Sequence, residues 1–479
     1  MVRTRPSLLI SIIPLLFLIM GIIMIISVFG INSVQDYTQI LLLCSGIVAI
    51  VLSQLTCRRK KSALILGLRK SASQVLPTIP ILLLIATVSA TWMLSGVVPT
   101  LITYGLKILN PTLFLCTTCV VCAIISVLSG SSWTTIATIG VAFMGIGIMW
   151  GFSPGWTAGA IISGAYFGDK ISPLSDTTVL ASSTCGVPML QHISNMMLTT
   201  VPAMTVALIV FITVGIFTST GSGTHTQEII DALNSQFNIT PWVLLIPLLT
   251  IVVLLTHVGT SLTLLLSTVF GLIGIFLFQG ELFDSLNAGS DSLIGKMVTV
   301  MKLLGVSTDF NTGNDTLDSL ISTGGMQGML PTIYLILCAM VFGGAMLGSG
   351  MIFTITHTIT KRLKRSKNIV LSTVCTGIML NGCTSDQYLS IILNGNLFRN
   401  IYRRRNLEPK LLSRSIEDST SVTSVLIPWN SCGLTQSTVL GVSTFTYLPY
   451  CIFNIASPAF TLLFAWTGFK IKKMKTRLA

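Results

Sequence analysis

Five acidic residues lie inside otherwise apolar stretches, where a charge has little water to stabilise it. Carboxylates at membrane depth are costly, and they are candidates for binding an ion or carrying a proton. The alternative for each is a salt bridge to a neighbour. Lys170 is the only basic residue in the polar stretches 163–178 and 415–433. One lysine neutralises at most one carboxylate. The five residues are Asp169, Asp176, Asp386, Glu417 and Asp418.

The first polar stretch covers residues 163–178 and reads SGAYFGDKISPLSDTT. Gly164 and Gly168 allow close approach of another backbone, and Pro173 prevents a helix from continuing. Non-helical backbone at membrane depth is tolerated only where it is buried in protein or lines a water-filled cavity. Together with the backbone carbonyls freed by the break, the stretch offers some of the oxygen ligands that hard cations prefer. We therefore expect it to border a cation site.

The second polar stretch, SIEDSTSVTSVLIPWNSCG, repeats the pattern of the first. Asp169, Ser172 and Ser175, followed by Thr184-Cys185-Gly186, correspond to Asp418, Ser421 and Ser424, followed by Ser431-Cys432-Gly433. A small polar cluster precedes each copy, at 129–132 and at 381–385. Chance similarity is an alternative, since serine is common. Secondary transporters are often built from two repeats with broken helices that meet at the bilayer midplane, which favours a true repeat.

The predicted site draws on both stretches and on the polar island NGCTSDQYL. Asp386, in that island, is interpreted either as an oxygen donor or proton carrier, or as a loop carboxylate at the cytoplasmic rim. His192 is a weaker candidate for modulating the response to pH. No transition metal is expected, because Cys116, Cys119 and Cys122 have no nearby histidine or carboxylate partners. The predicted ion- and proton-binding residues are Asp169, Ser172, Asp176, Thr177, Asp386, Asp418, Ser421, Ser424 and Asn430, and the supporting residues are Gly168, Lys170, Pro173 and Glu417.

Composition fixes the class of protein that must position these residues. The 479 residues are 52% hydrophobic and 9% charged, with a mean hydropathy of +0.85, which excludes a soluble domain. Of the 28 Lys and Arg, 24 fall in five short clusters beside apolar runs. This is the positive-inside pattern, so the clusters and both termini are assigned to the cytoplasm and no nucleic-acid partner is implied. The clusters are Arg3 and Arg5, Arg58–Lys70, Lys361–Lys367, Arg399–Arg414 and Lys470–Arg477.

Hydropathy predicts an all-α polytopic protein with about ten to twelve crossings, some of them broken. The predicted divisions are a transmembrane hairpin (1–62), a first repeat half (63–280), an external connecting segment (281–330) and a second repeat half (331–479). The lipid bilayer and small inorganic cations are the expected partners, a homodimer is left open, and no cofactor is expected. The predicted location is the inner membrane of a bacterial cell.

At these residues the chain resembles the NhaC-type sodium/proton antiporters of the ion transporter superfamily, over about residues 75–470. The resemblance implies export of sodium, or lithium, driven by inward protons, and a fold of inverted repeats with broken helices and paired re-entrant hairpins. The stretches that carry it are GAYFGDKISPLSDTT (164–178), HISNMMLTTVPA (192–203), TSDQYL (384–389), SRSIEDSTSVTSVLIPWNSCG (413–433) and YLPYCIFNIASP (447–458).

Three alternative functions are also compatible with parts of the sequence. Relatives in the same family resemble exchangers of malate for lactate coupled to sodium and protons. A passive channel would not accumulate its ion against a gradient, and titratable carboxylates in two broken repeats suit alternating access better. An intramembrane aspartyl protease would be an enzyme, but Tyr166 stands where the GxGD form requires glycine. The sequence therefore favours a transporter and not an enzyme.

Overall fold

The chain is built from α-helices joined by short loops in the computed structural model. The structure describes residues 6–30, 34–218, 224–256, 258–287, 292–308, 318, 321–360, 363 and 365–471. Within them, eight helices are long and apolar enough to cross a membrane, or ten if each of two bent pairs forms one span. The prediction of an all-α polytopic membrane protein is confirmed. The predicted ten to twelve crossings also include interrupted helices, which a count of long apolar helices does not include.

Among the described residues up to Thr218, the chain forms ten helices, and short breaks separate the later ones. The seventh contains a π turn at Ile136–Gly140. The helices are α1 (Leu8–Phe29), α2 (Val34–Cys57), α3 (Lys61–Val75), α4 (Thr78–Leu94), α5 (Val97–Ile108), α6 (Phe114–Ser129), α7 (Ser132–Met149), α8 (Pro154–Ile171), α9 (Asp176–Cys185) and α10 (Met189–Thr218).

The first of the remaining helices is polar, the next two are apolar, and the last ones are separated by breaks like those of the first half. In this part the helix Pro409–Ile416 continues into a π turn at Glu417–Ser421. The helices are α11 (Thr224–Gln236), α12 (Leu245–Leu255), α13 (Thr260–Phe278), α14 (Gly280–Leu286), α15 (Leu293–Gly305), α16 (Leu330–Gly348), α17 (Met351–Thr360), α18 (Ser366–Thr384), α19 (Gln387–Arg404), α20 (Pro409–Ile416), α21 (Ser431–Leu440), α22 (Thr444–Tyr447) and α23 (Ile452–Thr467).

Breaks of the same kind recur in the same order in the two halves. Gly96, between α4 and α5, and Gly350, between α16 and α17, both have a positive φ and both follow a serine. Gly130, between α6 and α7, corresponds to Ser385, between α18 and α19, which also has a positive φ. The next residue of each pair caps the following helix with its side chain. The structure therefore contains the repeat that the polar patterns predict.

The predicted register of the repeat is wrong in one place. Cys185 is the last residue of α9, whereas Cys432 lies in the first turn of α21, so the two Cys-Gly pairs are not equivalent. The structural counterpart of Gly186 is Gly441, because each ends a helix of 10 residues with a positive φ. The two short motifs match in composition, but the two halves of the chain have different numbers of residues in the break.

Close packing of α6 against α8 determines where the first break lies. Gly164 and Gly168 face the backbone of α6, where an added Cβ would lie 2.1 Å from the carbonyl oxygen of Cys119 and 2.4 Å from that of Ala123. The hydroxyl of Ser126 donates to the carbonyl oxygen of Ala165 at 2.6 Å. These glycines serve packing, so α8 continues to Ile171 and the predicted break is confined to residues 172–175.

The N-terminal helices cover one side of the second half. Buried side chains of α1 and α2 join those of α16 in one apolar cluster, and Gly67 of α3 lies against the backbone of α16 at Gly348. Large apolar side chains on the outer faces, such as Met20, Leu55 and Ile209, are exposed, as expected of a surface in contact with lipid. The predicted domain boundaries stay predictions. The basic cluster of Arg3 and Arg5, and parts of segment 281–330 and of the basic clusters at 361–367 and 470–477, lie outside the described residues.

The close contact at Gly164 generates a stability prediction. Gly164→Ala forces α6 and α8 apart, and overpacking of this kind costs roughly 1–3 kcal/mol. We expect a lower melting temperature for the purified protein in detergent. Gly280→Ala is the matched control, because nothing lies within 4 Å of an added Cβ there. Equal melting temperatures for the two variants would contradict the packing role of Gly164.

Candidate ion-binding site

The two broken helices meet through the ends of α8 and α20. Lys170 lies in the last turn of α8, and its ammonium forms an ion pair with Asp418 in the π turn that follows α20. Both side chains are buried. The ion pair joins residues 248 positions apart in the sequence, so it brings the predicted acidic positions of the two halves together.

Asp169 lies beside a cavity of about 190 Å³. Its Oδ2 accepts a hydrogen bond of 2.7 Å from the hydroxyl of Ser132. Asp176 and Thr177, at the start of α9, line the same cavity. The cavity therefore gathers two carboxylates and a hydroxyl, which are ligands of the kind that hard cations prefer. The remaining wall includes the rings of Trp133 and Tyr388.

The break itself is held by side chains that bond to the backbone. The buried hydroxyl of Ser172 donates to the carbonyl oxygen of Val127 at 2.8 Å, so Ser172 ties the break to α6. Ser175 caps α9, and its hydroxyl lies 2.9 Å from that of Thr177. Pro173 is exposed at the turn. Of the predicted residues in this stretch, Asp169, Asp176 and Thr177 line the cavity, and Ser172 does not.

Asp418 differs from Asp169 because it is enclosed by donors. Besides Lys170, the hydroxyls of Ser457, Thr199 and Thr461 donate to its two oxygens, Ser457 at 2.7 Å and Thr199 at 2.9 Å. The ammonium of Lys170 also donates to Ser457 at 2.8 Å. Each oxygen of Asp418 thus accepts two hydrogen bonds, and its counter-charge is the ammonium of Lys170.

Arg414, the last residue of the basic cluster at 399–414, is buried. Its side chain is only 1% exposed, and it lies one turn before Asp418. The sequence does not distinguish it from Lys410, whose side chain is 31% exposed, and the assignment of the cluster to the cytoplasm stays a prediction. His192 is also buried, with Nδ1 at 2.8 Å from the hydroxyl of Ser413, and its role in the response to pH stays a prediction.

The other predicted residues of the second half lie on different faces of the π turn and its flanks. Glu417 and Ser421 are buried. Asp386 is fully buried and caps α19 by accepting from the backbone N–H of Leu389 at 2.7 Å, and both interpretations of Asp386 stay predictions. Ser424 donates to the carbonyl oxygen of Ser421. Asn430 caps α21. The roles of these residues in binding stay predictions.

Several residues that contact the carboxylates were not among the predicted site residues. Ser132 belongs to the polar cluster at 129–132, and Thr199 and Ser457 lie in stretches that carried the family resemblance, but no rule of spacing connected them to an acidic residue. Thr461 lay in an apolar run. Their role appears only when α10 and α23 pack against the π turn.

A family model described as the Na+/H+ antiporter family matches residues 5–188 and 164–469, which together include both broken helices. The chain belongs to the Na+/H+ antiporter family. The match covers Asp169 and Lys170 of the first half as well as Glu417 and Asp418 of the second. The family resemblance drawn from the motifs is therefore confirmed.

Curated relatives of this family member cover most of its length. It is 36% identical over 413 residues to the Na(+)/H(+) antiporter NhaC of Alkalihalophilus pseudofirmus, covering 86% of each chain. Identity is 34% to the Na(+)/H(+) antiporter NhaC of Bacillus subtilis, over 80% of this chain and 82% of that one. It is 33% to the malate-2H(+)/Na(+)-lactate antiporter of Bacillus subtilis, over 85% and 84%. Similar identity therefore accompanies different named substrates.

The ion pair generates a second stability prediction. Lys170→Met leaves Asp418 buried without its counter-charge, and breaking a buried pair in this way costs about 3–5 kcal/mol. Adding Asp418→Asn removes the uncompensated charge, so the double variant should be more stable than Lys170→Met alone. Thermal unfolding of the wild type, both single variants and the double variant completes the cycle. Strictly additive losses would show that the two side chains do not interact.

Proposed function

We propose that this antiporter-family chain exports Na+, or Li+, from the cytoplasm in exchange for external H+. The observation that carries the proposal is the placement of Asp169 with Asp176 and Thr177 at one cavity. A carboxylate there has two alternative occupants, since it binds a hard cation when ionised and a proton when the cation is absent. No cofactor is required for this exchange.

The lining of the cavity favours an inorganic cation over an organic acid. Malate and lactate carry carboxylates, and their recognition calls for a basic side chain in the site. None of the described residues lining this cavity is Lys, Arg or His. The nearby ammonium of Lys170 is held by Asp418 and Ser457. An organic anion would meet the carboxylates of Asp169 and Asp176 without a compensating charge.

The arrangement also argues against the enzyme alternative. Two aspartates of an acid protease share one proton, which requires their carboxyl groups to lie about 3 Å apart. Here Asp169 bonds to Ser132, and Asp418 bonds to Lys170 and three hydroxyls. The two carboxyl groups therefore have separate partners, as expected for ion binding and for a structural ion pair.

The position of the cavity supports a cytoplasmic opening. Gln74 and Pro77, at the junction of α3 and α4, line it together with Thr260 at the start of α13. Helix α3 carries part of the basic cluster at 58–70, which the positive-inside rule places in the cytoplasm. We propose that the described conformation exposes Asp169 to the cytoplasm of a bacterial cell, with both chain termini on that side. A homodimer stays a prediction.

A proteoliposome assay tests the proposed substrates. Purified protein is reconstituted around a pH dye and exposed in turn to Na+, Li+, K+, malate and lactate. We expect proton movement with Na+ or Li+ alone, and none with Asp169→Asn, since this variant loses the exchanging charge. Asp284→Asn, at an exposed position of α14, is the matched control and should retain exchange. A response that requires malate or lactate would instead assign the chain to organic acid exchange.

Competition for one carboxylate predicts how pH affects sodium affinity. Protonated Asp169 is a poor sodium ligand, so the apparent KM for sodium should rise as pH falls, by up to about tenfold per pH unit when one proton competes with one sodium. The maximal rate at saturating sodium should change less. The measurement is a series of sodium titrations with equal pH on both sides of the membrane. A KM that stays constant across the series would indicate separate proton and sodium sites.

A further inference from the structure

Glu417 is a buried carboxyl that neither the sodium cavity nor the Lys170–Asp418 ion pair accounts for. It is the first residue of the π turn and is 0% exposed. Neither Oε1 nor Oε2 has a hydrogen-bond partner among the described residues. An ionised carboxylate in such a place is strongly disfavoured. Glu417 must therefore hold a proton or lie beside a cation.

The groups around Glu417 connect it to the cavity. Ser421 follows one turn later on the π turn, is 4% exposed, and its hydroxyl oxygen also lacks a hydrogen-bond partner in the described structure. The hydroxyl of Thr177 lies beside Glu417 on the α9 side, and it is also 2.9 Å from the hydroxyl of Ser175. Thr177 also lines the cavity of Asp169. Glu417 thus lies directly behind the wall of the proposed sodium site.

The charges that face Glu417 leave it without a fixed counter-ion. From α8 it faces Asp169, whose charge repels it, and Lys170, which is already held by Asp418. From α9 it faces the neutral thiol of Cys185. On its own helix Arg414 precedes it by three residues, but no ion pair joins them in the described structure. A sodium ion near Asp169 and Thr177 carries one positive charge, so it balances one of the two carboxylates and lowers the energetic cost of ionising the other.

We propose that Glu417 is a second proton-carrying group of the exchange site, which releases its proton when sodium binds at Asp169. The inference rests on the proposed sodium/proton exchange. Sodium arriving from the cytoplasm displaces one proton from Asp169 and one from Glu417, and both protons leave to the cytoplasm. When sodium departs to the outside, each carboxylate takes up one external proton. The cycle then moves one net positive charge inward, so it responds to membrane potential.

The first test counts the protons released when sodium binds to purified protein in weakly buffered solution. Glu417→Gln keeps the shape of the side chain and removes its titration. We expect this variant to release about one proton fewer per bound sodium than the wild type. Glu417→Asp should restore the wild-type count. Glu408→Gln is the matched control, since Glu408 is partly exposed and pairs with Lys410 at 3.2 Å, and its count should equal that of the wild type.

The second test uses proteoliposomes in which a potassium gradient with valinomycin sets the membrane potential. Wild-type exchange should be driven by the potential, and Glu417→Gln exchange should lose that response. An unchanged proton count in Glu417→Gln overturns the inference, because Glu417 would then be permanently neutral. Abolished sodium binding also overturns it, because Glu417 would then be an obligatory ligand. Absence of sodium-driven proton movement in the wild type would instead refute the proposed exchange itself.

Discussion

The ion pair between Lys170 and Asp418 fixes how the two broken helices meet. Each charge loses several kcal/mol of hydration on burial, and the attraction offsets this only with good geometry and additional hydrogen bonds. Three hydroxyls supply those bonds, and the ring of Phe453 lies 5.6 Å from the ammonium of Lys170. Since the hydroxyls belong to α10 and α23, this one pair also constrains where those helices pack. Moving α8 relative to α20 would expose both charges to an apolar interior.

The breaks impose a second constraint, because freed backbone groups inside a membrane protein still need partners. Side chains from neighbouring helices provide them. Thr178 donates to the carbonyl oxygen of Lys170 at 3.1 Å, Asn381 donates to that of Thr420 at 2.6 Å, and Asn454 donates to that of Val422 at 2.9 Å. The abundance of Asn, Ser and Thr in apolar helices thus has two uses. Some of these residues complete the broken backbone, and others contact the carboxylates.

The local chemistry of the chain could be predicted from the sequence more completely than its long-range contacts could. Pro173 located the first break, and the acidic residues in apolar runs located both polar centres, because helix termination and the cost of burying a charge depend on nearby residues. The contact of Asp418 with Thr199 spans 219 positions, and no local pattern indicates it. The burial of Arg414 could not be predicted for a related reason, since it ends a basic cluster in sequence while its helix packs it inside the protein. The repeat was recognised, but its register depends on the number of residues in each break.

The two halves have a similar backbone, but the charges of their acidic residues are balanced in different ways. Asp418 has a covalently tethered counter-ion in Lys170, so its charge is balanced in the described conformation without any solute. Asp169 has a hydroxyl donor and a neighbouring cavity, and Glu417 behind it has no fixed counter-charge. A carboxylate in that position can ionise only when a mobile cation enters. The tethered cation therefore stabilises the crossing of the helices, and in the proposed exchange the untethered carboxylates require occupancy by sodium or by protons, which couples the two ions.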